Sequence, residues 1–179
     1  YTTLFRSSYL LFWGFKGETL QQLLVNPEAE RTMKEGQDCL QCAIEQGTIE
    51  VQALLRFVPA TRRGNDIVLA GSASEEDGGT VLPMLRSQSA TGHYLCLADY
   101  YDKEHPTPLG LFTIVARPKT QPTDEAERLM NHAICARLAE ACAEYIQGSG
   151  FKVQGSRLRV AFGYATCPDH SLKRIVFDL

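Results

Sequence analysis

VQALLRFVPATRRGNDIVLA, residues Val51 to Ala70, holds two extended segments around a turn. Val51 to Val58 is mostly apolar and stops at Pro59, which lacks the N–H that a strand ladder uses. Arg63-Gly64-Asn65 is turn-prone, and Asp66 to Ala70 returns as a partner strand. The stretch therefore reads as a β-hairpin, and the sheet it starts is antiparallel.

Working outward, Gly71 to Thr80 is a solvated loop of Ser, Glu, Asp and Gly, and Leu82 to Gln88 is expected to form a short helical turn. Tyr94 to Tyr101 and Leu109 to Ala116 are further strand candidates, divided by a proline-bearing loop at Asp102 to Pro108. Arg157 to Ala161 supplies a fifth. Several connections are too short for crossover helices, so the sheet is mainly antiparallel.

The strongest helix is Asp124 to Gln147. Ala126, Leu129, Met130, Ala133, Ile134, Leu138, Ala141, Cys142, Tyr145 and Ile146 recur at steps of three and four. Thr123 is the expected cap, and Asp124 and Glu125 suit the positive end of the helix dipole. Gly148-Ser149-Gly150 should stop it. A second helix is expected over Glu28 to Gln46, loosened at Gly36, and a last one starts near Asp169 or His170. The pattern is α+β, a mainly antiparallel twisted sheet with helices packed against it. One domain over residues 1–179 is expected, with a helical part over about 1–48 and a sheet-and-helix core over about 49–179.

The 179 residues are 44% hydrophobic and 22% charged, ordinary for a globular protein with its own core. A net charge of −3 argues against a nucleic-acid surface, which needs a basic excess. No apolar run reaches a membrane span; Tyr9-Leu10-Leu11-Phe12-Trp13 is short and lacks signal-peptide flanks. The expected location is the cytoplasm. The chain opens on Tyr1 and closes in what reads as an unfinished helix, so it looks like a piece of something longer. Of six cysteines, Cys39-x-x-Cys42 has redox or metal spacing, but with no second pair it supplies only half a zinc site. Buried free thiols are the plainer reading, also for His132-x-x-Cys135 and His93-x-x-Cys96.

Chemistry concentrates in Leu158 to His170, LRVAFGYATCPDH. Arg159 offers a planar fork suited to a carboxylate. Gly163 lets a ligand approach the backbone closely, and Tyr164 adds a flat face with a polar tip. Together they suit a small zwitterion. Taken alone, an Arg such as Arg159 among apolar neighbours on a strand is usually a surface side chain, and a Tyr such as Tyr164 is more often a core or rim element. The chain carries no Gly-x-Gly-x-x-Gly loop, Walker A motif or Gly-x-Ser-x-Gly elbow.

The pattern Arg159-x-x-x-Gly163-Tyr164-x-x-Cys167-Pro168-x-His170 resembles the signature of the activation domain of cobalamin-dependent methionine synthase. Four more blocks resemble the same family in the same order. They are Phe57-x-Pro59-Ala60-x-Arg62-x-Gly64-x-Asp66-Ile67, Leu85-Arg86-x-Gln88, Cys96-Leu97-Ala98-Asp99-Tyr100 and Arg137-Leu138-Ala139-Glu140-Ala141-x-Ala143-Glu144-Tyr145.

The resemblance implies a module that binds S-adenosylmethionine (AdoMet) and supports reductive methylation of cob(II)alamin to methylcobalamin. It implies that Arg159 pairs with the AdoMet carboxylate and that Ala161 and Gly163 offer backbone groups to the adenosine. Tyr164 would pack on the nucleoside or face the corrin, and Glu140 would complement the amino group or sulfonium. No catalytic residue and no protein-bound metal is implied. Cobalamin is held by another module or chain, since no Asp-x-His-x-x-Gly pattern occurs here. A flavodoxin-like protein is the implied electron donor. On residues alone, Asp99 reads as a buried or loop-anchoring acid, and Cys167, Pro168 and His170 read equally as shapers of a turn and a helix cap.

Two departures stand beside the match. The family places an AdoMet-contacting Asp near the start of the domain, where Phe5 to Trp13 holds no acid, and a further segment after the last helix. An alternative is therefore a degenerate or standalone relative that docks on, or regulates, a corrinoid protein without binding AdoMet. A metal or redox domain built on Cys39, Cys42, Cys167 and His170 is the remaining class.

Overall fold

The computed structural model describes residues 3–70, 79–88, 92–149 and 159–179. The chain divides into two compact units, Tyr1–Leu54 with Thr113–Gly150, and Leu55–Phe112 with Phe151–Leu179.

The first unit is mostly helical. It holds α1 (Thr3–Phe12), α2 (Leu20–Leu23), α3 (Pro27–Gln46) and α4 (Glu125–Ser149). Tyr9 to Phe12 of the apolar run thus close α1, and Trp13 follows in a turn. Tyr9 and Leu10 bury completely in a cluster with Leu23, Ala29, Met33 and Ala133. Helix α3 begins where Asn26 accepts the Glu28 N–H ahead of Pro27, and it ends at Gly47 in the left-handed region. Gly36 does not loosen it. A Cβ there would lie 2.4 Å from Cζ of Tyr9, so the missing side chain is the seat for that ring.

Helix α4 starts one residue later than expected and is capped differently. Asp124 Oδ1 accepts the Glu127 N–H at 2.8 Å, while Thr123 spends its N–H and hydroxyl on the Glu127 carboxylate. A carboxylate is the better acceptor at the positive end of the dipole. Leu129 and Tyr145 of the apolar stripe are exposed, and Ala133, Ile134 and Cys135 are buried.

The sheet has the order β3-β2-β1-β6, from β1 (Ile49–Arg63), β2 (Asp66–Leu69), β3 (Thr80–Pro83) and β6 (Thr107–Pro118). β1 and β6 run through both units, and β2 and β3 belong to the second. The expected hairpin is present: β1 and β2 pair antiparallel from Ala60↔Leu69 to Arg63↔Asp66. Gly64 sits in the two-residue loop at φ +64, which only glycine takes without strain. β1 does not stop at Pro59. Pro59 lies just past the last pair with β2, and its carbonyl accepts the Ala70 N–H at 2.9 Å. Its missing donor therefore falls where β2 has already ended.

Three local expectations are corrected. Leu82 to Gln88 is not a helical turn. Val81 and Leu82 pair with Val68 and Ile67 in β3, which buries Leu82, and Ser87–Gln88 forms β4 against β5 (Tyr94–Leu95). Tyr94 to Tyr101 is a strand only at its start. Leu97–Tyr100 is a 3-10 turn, fixed because the Asp99 carboxylate accepts the Cys96 N–H. Arg159 to Ala161 is not a strand but leads into a tight turn, and residues 157 and 158 lie outside the described residues. In addition, Thr80 of the proposed loop opens β3, with 71–78 outside the described residues, as is Gly150. Helix α5 (Leu172–Phe177) starts slightly later than expected. The core of this unit joins Val58, Ala60, Ile67, Leu69, Leu82, Met84, Cys96, Ala98, Cys167 and Leu172.

Candidate functional site

Three of the motif blocks meet at one carboxylate. Asp99 receives Arg86 through both terminal nitrogens, at 2.9 and 2.7 Å, and Arg62 at 2.9 Å. The Cys96 N–H adds a fourth contact at 3.0 Å. Each arginine is tied at its other end. Arg62 Nε donates to the Gly64 carbonyl at 2.8 Å in the β1–β2 turn. Arg86 donates to Asn65 Oδ1 at 2.9 Å and to the Tyr94 carbonyl at 3.0 Å. Arg86 beside it, then the Cys96 N–H, hold the Asp99 carboxyl below the usual carboxylate range against the opposing effect of burial. The loop-anchoring role expected of Asp99 is what the geometry gives. It fixes the hairpin tip, the Met84–Arg86 segment and the 3-10 turn at once.

One step further lies the turn that carries the candidate residues. The Leu97 N–H donates to the Thr166 carbonyl at 2.8 Å. The Ser87 hydroxyl donates to the Ala165 carbonyl next to it. Inside the turn, the Gly163 N–H donates to Cys167 at 2.8 Å, Tyr164 to Ala161 at 3.2 Å, and the Cys167 N–H to Tyr164 at 2.8 Å. Cys167 drops into the core, where burial pushes its thiol up from the ordinary range. Asp169 Oδ1 accepts the Ser171 N–H at 2.7 Å as the chain enters α5.

The structure brings Arg159, Ala161, Gly163 and Tyr164 to this one turn of the sheet unit. Arg159 is half-buried and Ala161 is exposed. Tyr164 presents 66% of its surface. Glu140 belongs to the other unit, exposed on α4. Gly163 has φ +100, which explains the glycine, and the volume a side chain would take there is occupied. A Cβ there would lie 2.5 Å from Nε2 of His170, so the imidazole fills that side of the turn. The sequence reading missed this pairing and the Arg62–Asp99–Arg86 junction. Their signal was present, since all four side chains lie inside the quoted blocks.

The four residues of the cysteine reading divide between the two units. All six cysteines are free thiols. Cys39 and Cys42 lie in the helical unit, and Cys167 and His170 in the sheet unit. Burial, then the neighbouring Cys42, pushes the Cys39 thiol up, away from reactivity. Among the described residues no group of three or more His, Cys, Asp or Glu is placed to hold a metal ion. No helix among them is long and apolar enough to cross a membrane.

The family model for the activation domain of vitamin B12 dependent methionine synthase matches residues 5–150 of the chain. That span takes in the Asp99 junction and Glu140 and ends before the Arg159–His170 turn. A crystal structure of the MetH reactivation domain bound to AdoHcy superimposes with a TM-score of 0.76 at 23% sequence identity. The match covers 96% of this chain and 63% of that one. At that identity the likeness is one of fold, and the expected α+β architecture is the one found.

Proposed function

The chain belongs to the family of activation domains of vitamin B12-dependent methionine synthase, and from that premise we propose that it is an AdoMet-binding reactivation module. The observation that carries the reading is the anchored turn. Arg159, Ala161, Gly163 and Tyr164 lie on one short segment whose backbone is tied to the Asp99 junction through Leu97 and Thr166.

The donor set fits AdoMet. The Arg159 guanidinium matches a carboxylate in charge and shape. The exposed ring of Tyr164 gives a flat surface for the nucleoside, and the backbone at Ala161 and Gly163 frames it. Glu140 would answer the positive charge of the amino group or sulfonium. When bound, AdoMet would supply the methyl group that converts reduced cobalamin to methylcobalamin. The residues of this chain do no acid–base work in this reading. Their work is to bind and orient the cofactor.

Cobalamin would reside on another module or chain, the electron would come from a flavodoxin-like donor, and the setting would be methionine biosynthesis in the cytoplasm. Residues 1–179 would act as a single activation-like domain. A second reading, a docking or regulatory relative that does not bind AdoMet, draws on the absence of any acid between Phe5 and Trp13.

Calorimetry with AdoMet and AdoHcy separates the two. The first reading expects saturable binding that Arg159→Gln weakens by about one to two decades, since a charge-assisted pair contributes about 1.5–3 kcal/mol. No heat of binding for either compound, with cobalamin protein absent or present, would leave only the second.

A further inference from the structure

We propose that His170 is a positioning residue of the cofactor turn, bracing the backbone of Gly163. The inference rests on the AdoMet reading of that turn and adds to it a residue that contributes through the backbone.

Gly163 has φ +100, a conformation that side chains rarely adopt. The volume its missing side chain vacates is taken by the imidazole of His170. The position of a Cβ on Gly163 lies 2.5 Å from Nε2, 2.8 Å from Cε1 and 3.5 Å from Cδ2. The contact is thus made by the edge of the ring over the glycine Cα, and it depends on there being no side chain at 163. No backbone hydrogen bond needs that ring. Gly163 already donates to Cys167, and Cys167 to Tyr164. Nor is the ring buried, since His170 is exposed. An exposed ring pressed on a glycine stabilises the core little, but it limits how far the turn can open.

The consequence falls on the neighbours of Gly163. Ala161 and Tyr164 close the turn through the Tyr164 N–H, and both face solvent. A turn held on one side by Cys167 and on the other by the His170 ring offers a fixed surface to a ligand. Without the ring, binding would have to order the turn as well as fill it. The pairing also accounts for a His at this position in terms of shape alone. A flat side chain of similar size should serve, and charge should not matter.

Two measurements on the 179-residue chain test this. The first needs no ligand: amide hydrogen exchange at Gly163 and Cys167. His170→Ala should speed exchange at both, and His170→Phe, which keeps a flat ring, should restore protection. Unchanged exchange in His170→Ala overturns the brace. The second is AdoHcy affinity, read well below the melting temperature of each variant with circular dichroism confirming the fold. His170→Ala should weaken binding about tenfold, the scale of losing pre-organisation in a short segment, with His170→Phe returning to about wild-type affinity. Faster exchange with unaltered affinity would make His170 a structural residue only and overturn the positioning role. Loss of binding in His170→Phe equal to that in His170→Ala would overturn the shape argument. If the unsubstituted chain binds neither AdoHcy nor AdoMet while the exchange effect appears, the brace stands and the cofactor reading falls.

Discussion

Replacing Asp99 with Asn keeps the outline of the side chain and removes the charge on which two arginines converge. Asp99 accepts three guanidinium contacts at 2.7–2.9 Å and one backbone N–H at 3.0 Å. An amide in its place keeps one acceptor oxygen and turns an NH2 group toward donors. Its side chain is 20% exposed, and those of Arg62 and Arg86 are 24% and 30% exposed. Water therefore screens part of the attraction, and the full cost of an isolated buried charge does not apply. A loss of about 2–3 kcal/mol follows from charge-assisted bonds weakened by that access. For a chain of this length it corresponds to a fall of about 5–10 °C in thermal midpoint.

The pH dependence carries a sign. Because Arg86 and the Cys96 N–H depress the folded-state pKa of Asp99, its contribution is fully present above the unfolded carboxylate value of about 3.9. It is lost as pH falls through the lower folded value. Urea denaturation of both proteins from pH 7 down to pH 3 should therefore show a gap that is constant at first and narrows below about pH 4. A gap under about 0.5 kcal/mol at pH 7, the level of an ordinary surface substitution, or one that widens in acid, would refute the reasoning.

Two further outcomes follow from packing and burial. Gly36→Ala places a methyl group 2.4 Å from the Tyr9 ring, and Tyr9 is only 1% exposed. The substitution should cost about 1–3 kcal/mol by overpacking, and pairing it with Tyr9→Leu should cost less than the sum of the two single changes, as read by denaturant midpoints. Burial pushes the Tyr101 hydroxyl up to about 12, so the unfolded chain ionises first, and stability should fall as pH rises from about 10. Ultraviolet difference titration should show that Tyr101→Phe removes the latest-ionising tyrosine, with Tyr9, also raised by burial, remaining above the exposed ones.

Much of the fold was readable because it rests on local signals. The Gly64 turn and the apolar period of α4 each state their own structure. Where the reading failed, a long-range partner decided. Leu82 to Gln88 has helical composition, but Val81 and Leu82 are claimed by Val68 and Ile67. Leu97 to Tyr100 looks extended until the Asp99 carboxylate folds it back onto the Cys96 N–H. Pro59 reads as a strand end, since nothing nearby in sequence shows that β2 has already finished on that side. Gly36 reads as a weak point in the sequence alone, because the ring that needs it comes from α1, 27 residues earlier in the chain. The candidate residues around Arg159 were legible as chemistry. The contact that shapes their turn, His170 on Gly163, is not visible in any pattern of hydrophobicity.

The two kinds of motif residue differ in what they touch. Arg62, Arg86 and Asp99 saturate one another and the ends of three backbone segments, leaving little for a ligand. Tyr164 is exposed and Arg159 half-buried on the turn beside that junction. The link between the groups is short: Asp99 fixes the Cys96 N–H, the next residue donates to Thr166, and Thr166 adjoins Cys167, which closes the turn. A rigid junction suits a turn without regular secondary structure, since Arg159 to Ala161 lie in no strand. The junction's charges are thereby better understood as fixing geometry than as attracting a ligand. That is why a neutral substitution at Asp99 should disturb a turn it never contacts.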